Sequence, residues 1–132
     1  MSTPVVLDAS AGVEMLLATA VGEALDRLLP ADAVEWVPEV YFAEVAGVVR
    51  RSELAGLITS ERAAAALDRL ISTPVERVQV LPLLSEAWTL RRNLTVNDAL
   101  YVVLARHLQA PLVTGDLKLA AAPGLGVEVI RV

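Results

Sequence analysis

Two short apolar runs in this chain of 132 residues break off at a carboxylate: Val5-Val6-Leu7-Asp8 near its start and Leu112-Val113-Thr114-Gly115-Asp116 near its end. A β-branched run of this length reads as a strand buried on both faces of a parallel sheet. An acid just beyond such a run stands at the carboxyl edge of the sheet, where open α/β folds place their ligands. Asp8 has a second explanation, because aspartate also caps helices well and the small residues Ala9 and Ser10 follow it. Its position alone leaves the two open.

Between these runs, helical and extended patterns alternate. Ser10 to Leu17 and Val21 to Leu29 carry apolar residues at helical spacing, and Val34-Glu35-Trp36-Val37 is a short strand closed by Pro38. Proline and Glu39 suit the opening turn of the next helix, which runs through Tyr41, Glu44 and Val48 to Arg50-Arg51 and ends near Gly56. An Ala-rich helix opens at Thr59-Ser60-Glu61-Arg62 and ends around Thr73-Pro74, and Val75 to Leu81 reads as a strand. Leu83 to Asn93 predicts a helix with a cationic last turn, and Thr95-Val96-Asn97-Asp98 opens another, ALYVVLARHL, stopped by Pro111. After the Leu112–Asp116 strand come a helical turn over Leu117 to Ala122, a Pro123-Gly124-Leu125-Gly126 loop and a last strand over Val127 to Val132. Strands alternating with helices predict a single α/β domain, residues 1–132, with a central, mostly parallel sheet.

Composition narrows the chemistry. The chain has no cysteine and one histidine, His107, which excludes disulfides, thiolate metal sites and a multi-histidine zinc centre. Any metal must be held mainly by oxygen, which points to Mg²⁺ or Mn²⁺. No apolar run is long enough to span a bilayer and no leader is visible, so a soluble, cytoplasmic protein without a membrane partner is expected. The net charge of −5 argues against a generally basic nucleic-acid-binding surface. Hydrophobic residues make up 55%, above the ~45–50% of an ordinary domain. That excess predicts an apolar patch covered by a partner or a second copy, although alanine also inflates the figure.

Among the acids, Glu44 stands out. Its neighbours one helical turn away are Val40, Tyr41, Gly47 and Val48, so it lies on an apolar stripe rather than a solvated face. An ionised carboxylate is costly there unless a cation or hydrogen bonds receive it. Asp98 has Leu94, Tyr101 and Val102 as helical neighbours and also looks inward. Thr95-x-x-Asp98 equally resembles a capping box, which would explain it structurally. The remaining acids, Glu14 and Glu86 among them, read as solvated surface.

The ordered set VVLDAS, YFAEVAGVVRR, TVNDALYVVLA and LVTGDLKLA resembles the PIN domain of the VapC-type ribonuclease toxins, over nearly the whole chain. The resemblance implies a three-layer α/β/α fold. It implies an acidic metal-binding and catalytic quartet of Asp8, Glu44, Asp98 and Asp116, with Ser10 and Thr114 as supporting hydroxyls. It implies a Mg²⁺-dependent endoribonuclease, with Mn²⁺ able to substitute, that forms a homodimer. It also implies a VapB-like antitoxin partner, through which alone the pair would touch DNA.

The chemistry fits such a quartet. Phosphodiester hydrolysis needs an activated water and compensation of charge on the phosphate, which divalent cations supply. Four crowded carboxylates repel one another, and like charge disfavours their ionised forms until a hard cation arrives. Arg50, Arg51, Arg91, Arg92 and Lys118 lie a few residues from the motifs and are candidates to touch RNA phosphates, although Arg91 and Arg92 also suit a helix terminus. Two other readings stay open: a catalytically silent PIN-like binding module, and an aspartyl-phosphate phosphoryl-transfer domain built on Asp8. The second lacks the usual acid two residues on, where Ser10 stands.

Overall fold

The computed structural model describes residues 2–132. Strands β1 (Thr3–Leu7), β2 (Ala33–Pro38), β3 (Glu76–Val78), β4 (Leu112–Val113) and β5 (Val129–Ile130) form one sheet, and every pairing in it is parallel. Among the described residues seven α-helices accompany them: α1 (Ala9–Leu16), α2 (Ala20–Leu28), α3 (Val40–Leu54), α4 (Ser60–Ser72), α5 (Leu84–Thr89), α6 (Val96–Leu108) and α7 (Leu117–Ala121).

The strand order is β3-β2-β1-β4-β5, so the chain winds outward from β1 in one direction and then in the other. Right-handed crossovers place the two sets of helices on opposite faces of the sheet. Accordingly α1 packs against α2, α3 and α4, while α6 lies across β1, β2 and β4 with α5 beside it. The expected three-layer α/β/α arrangement is what the chain adopts, and β1, between β2 and β4, is the point where the winding reverses. That is where doubly wound folds open a crevice.

The core follows from the same pattern. Val5 and Val6 are fully buried in β1, and α6 buries every residue from Ala99 to Ala105. A helix apolar all round belongs inside, which accounts for ALYVVLARHL lacking a polar face. Threonines 19, 59 and 95 accept from the backbone N–H three residues on and so open α2, α4 and α6. Gln109 closes α6 in the left-handed conformation (φ 51°). Arg106, one turn earlier, donates to the carbonyls of Leu125 (2.6 Å) and Gly124 (3.0 Å) and ties α6 to the loop before β5.

Element lengths depart from expectation at four places. The strand expected from Val75 to Leu81 shortens to Glu76–Val78, because Leu81-Pro82 enters a 3-10 turn over Leu81–Leu83. The helix expected to reach Asn93 ends at Thr89. Pro38 does not open α3 but ends β2 opposite Val78, and Glu39 at the helix start makes no capping bond, facing Arg77 at 3.8 Å instead. The last two strands are two residues each, since only those residues reach a paired neighbour. Among the described residues no helix is long and apolar enough to cross a membrane.

Close approach of α1 and α2 requires Gly22. A Cβ there would overlap the main-chain carbonyl of Glu14, which cannot swing aside. Gly22→Ala is expected to cost about 1–3 kcal/mol, towards the upper end because the obstacle is backbone. Urea denaturation checks this.

Candidate active site

The crevice predicted by the strand order is real. A cavity of about 290 Å³ opens at the carboxyl edge of the sheet, lined by Asp8, Ser10, Val13, Glu14, Glu44, Val48, Asp98, Tyr101 and Asp116 among others. Its four acids of the quartet arrive by four routes. Asp8 follows β1 and caps α1, and Asp116 follows β4 and caps α7. Glu44 lies in the second turn of α3, and Asp98 in the first turn of α6. Each helix starts at the same edge of the sheet, so one rim collects all four.

Asp8 is the most enclosed, with 3% of its surface exposed. Its Oδ1 accepts from Ser10 Oγ (2.7 Å) and the Ala11 amide (2.8 Å), and its Oδ2 accepts from the Thr114 hydroxyl. Thr114, fully buried, also accepts from the Asp116 amide at 2.9 Å. Ser10 in turn accepts from the Gly115 amide at 2.9 Å. The two hydroxyls thereby join the ends of β1 and β4. For Asp8 the two readings left open by the sequence are both true: it caps α1 and it faces the cavity.

Burial lifts the pKa of Asp8 above the ordinary carboxylate value, against the lowering effect of the Thr114, Ala11 and Ser10 bonds. Asp98 is raised as well, again mainly by burial, with the Thr95 hydroxyl opposing and the charges of Asp116 and Glu44 adding. Mutual repulsion thus contributes, but desolvation comes first. Thr95 caps the Asp98 amide at 3.1 Å. The reciprocal bond of a capping box, donated by the Thr95 amide to the Asp98 carboxylate, is not made, so capping does not account for this acid.

Glu44 is received by α6. Tyr101 Oη donates to its Oε1 at 2.6 Å and Asn97 Nδ2 to its Oε2 at 3.2 Å. Burial and the neighbouring Glu44 hold the Tyr101 phenol far above its ordinary pKa, so it remains a donor. Sequence reasoning missed Tyr101 and Glu14 as cavity residues and Asn97 as a donor to Glu44. The signal was present for Tyr101 and Glu14, which stand one helical turn after Asp98 and Ser10.

No Lys or Arg pairs with any of the four acids; the ion pairs among the described residues are Arg77–Glu39, Arg106–Glu86 and His107–Glu86. Glu86, expected on the solvated surface, bridges Arg106 and His107, and the lone imidazole lies away from the cavity. Among the described residues no three acids are yet close enough to form a ready-made ligand cluster. The cationic candidates Arg50, Arg51, Arg91, Arg92 and Lys118 are all exposed and none lines the cavity. Arg91 instead lies 4.8 Å over the Trp88 ring and donates to the Trp88 carbonyl.

Comparison with known proteins agrees with the fold. The PIN domain family model matches residues 5–125. Ribonuclease VapC1 of Mycobacterium tuberculosis is 42% identical over 125 residues, covering 94% of each chain. Ribonuclease VapC12 of the same species is 37% identical, covering 95% of this chain and 96% of its own. Among solved structures, M. tuberculosis VapC20, a sarcin–ricin-loop-cleaving toxin, superposes with a TM-score of 0.69 at 19% identity, covering 97% of this chain and 99% of its own. VapBC-5, a toxin–antitoxin system from the same species, gives 0.60 at 24% identity, covering 98% and 99%. The chain belongs to the PIN domain family, among the VapC ribonucleases.

The raised carboxyls have a consequence for stability. Asp8 and Asp98 in the cavity, and Glu35 on β2 outside it, are all shifted upward, Glu35 by burial and then by Asp26. A carboxyl whose pKa is higher folded than unfolded binds more protons in the folded state, so stability falls as pH rises through the interval between the two values. Metal-free protein is therefore expected to be more stable at mildly acidic pH than at pH 7. Glu35→Gln should flatten part of that slope without altering the cavity. Thermal melts from pH 7 downward, with a chelator present, check both.

Proposed function

We propose that the protein is a metal-dependent endoribonuclease and the toxin of a toxin–antitoxin pair. The observation that carries the reading is the convergence of Asp8, Glu44, Asp98 and Asp116 on one cavity with no cationic side chain among the described residues to balance them. An all-oxygen anionic set of this kind suits a hard divalent cation, Mg²⁺ with Mn²⁺ as a substitute. The four acids would hold it. Once bound, such an ion activates a water and offsets charge on the scissile phosphate.

The chain's own residues do the rest. Ser10 and Thr114 fix the Asp8 carboxylate, and Tyr101 and Asn97 receive Glu44. Asp116 is held by the amides of Lys118 (2.9 Å) and Leu119 (3.3 Å) through its Oδ1, leaving Oδ2 for the cavity. No histidine stands by as a general base, since His107 is engaged with Glu86. An aspartyl-phosphate mechanism suits the site poorly, because both oxygens of Asp8 already accept hydrogen bonds and little of it is exposed. Arg50, Arg51, Arg91, Arg92 and Lys118, exposed outside the cavity, are the proposed contacts for phosphates of an RNA running beyond the cleaved bond.

The partner is supported by solved structures of the same fold, several of which are toxin–antitoxin systems, one of them bound to promoter DNA. A VapB-like antitoxin is the proposed inhibitor and the proposed DNA-binding half of the pair. A cavity between α1, α2 and α4, with Leu16, Phe42 and Leu70 in its walls beside Glu23, Glu35 and Arg69, supports such a partner. Leu57, Ile71 and Leu81, each more than three-quarters exposed, give the same support to partner binding and homodimer formation. The proposed compartment is the cytoplasm.

Two experiments test the reading. Cleavage of RNA should require Mg²⁺ or Mn²⁺ and stop in EDTA; cleavage supported by zinc alone would refute the assignment. Asp98→Asn should leave the melting temperature of the metal-free protein equal or higher, by removing a half-buried charge, while cleavage falls at least about tenfold. Full activity in a well-folded Asp98→Asn protein would take this acid out of the site.

A further inference from the structure

We infer that Tyr101 and Asn97 are positioning residues that set the Glu44 carboxylate for a divalent cation before any cation arrives, an inference that rests on the metal-dependent reading above. The four acids are not anchored alike. Asp8 and Asp116 are short side chains fixed by backbone amides, Ala11 for the first, Lys118 and Leu119 for the second. Glu44 has no such anchor. It sits within α3 on a longer, more flexible side chain, and its hydrogen-bond donors are two side chains of another helix.

Those donors stand four residues apart on α6, hence on one face and a turn from each other. Tyr101 is 1% exposed, so its ring is locked by packing and its hydroxyl has a fixed position, 2.6 Å from Oε1. Asn97 is exposed and holds Oε2 more loosely at 3.2 Å. Each oxygen thereby uses one acceptor site on α6 and keeps another for the cavity. Asp98 lies between the two donors on the same rigid helix, so α6 supplies one acid and dictates the location of a second. Side chains that orient a metal ligand in this way typically contribute 10–100-fold to metal affinity.

Direct titration with Mn²⁺, followed by electron paramagnetic resonance in the absence of RNA, tests this. Tyr101→Phe should weaken Mn²⁺ binding by about tenfold or more, and Asn97→Ala by a smaller factor in the same direction. Asn97 is on the surface, so its variant decides the matter even if removing the buried hydroxyl prevents folding. In a Glu44→Gln background, which keeps three acids and is titrated to millimolar Mn²⁺, Tyr101→Phe should change affinity less than about twofold, because the ligand it positions is gone. An equal loss in both backgrounds would assign Tyr101 a purely structural role and overturn the inference. Wild-type affinity in both single variants would also overturn it while leaving the metal reading intact. Wild-type protein that binds no Mn²⁺ would remove both together.

Discussion

Everything at the carboxyl edge of the sheet depends on the burial of one carboxylate. Asp8 stands at the junction of β1, α1 and β4, and a buried anion there is tolerable only if its oxygens are satisfied. Ser10, Ala11 and Thr114 satisfy them, and the same hydroxyls take up the amides of Gly115 and Asp116. The network therefore fixes the acid, starts α1 and shapes the turn that carries Asp116. Replacing Asp8 with an apolar residue would strand several donors at once. Structure and proposed chemistry make use of the same bonds, and the raised pKa records how incompletely those bonds offset the loss of water.

The second constraint is topological. With β1 central and the winding reversed on either side of it, helices from both faces begin at one edge. Glu44 from one layer and Asp98 from the other meet across the end of the sheet, although 54 positions separate them in the chain. A singly wound sheet would have put them on the same side. The cavity is thus a property of strand order as much as of residue choice.

Much of this was legible in the sequence, and the reasons are physical. Runs that end in acid betray strand tips, and Glu44 betrays itself by the apolar company it keeps. The alternation of periods gives the fold class without any contact being known. What escaped were features set by tertiary partners. Tyr101 reads as one more apolar position in ALYVVLARHL, and only the approach of α3 shows its hydroxyl to be a donor. Glu14 and Glu86 read as surface because their partners are remote or on other elements. Strand lengths at the sheet's edges were overestimated, because pairing rather than propensity ends a strand. The arginines near the motifs are close in sequence but project outside the cavity.

The hydroxyl bridge between Ser10 and Thr114 also has a consequence for how the protein comes into being. Asp8 is made early in synthesis, yet its Thr114 donor and its neighbour Asp116 come more than a hundred residues later. Until β4 emerges and docks beside β1, the nascent chain has neither a finished sheet nor a finished cavity. A chain that stops anywhere before that point lacks both Thr114 and Asp116. The acid made first thus finds its full set of partners only once the fourth of five strands has docked beside the first.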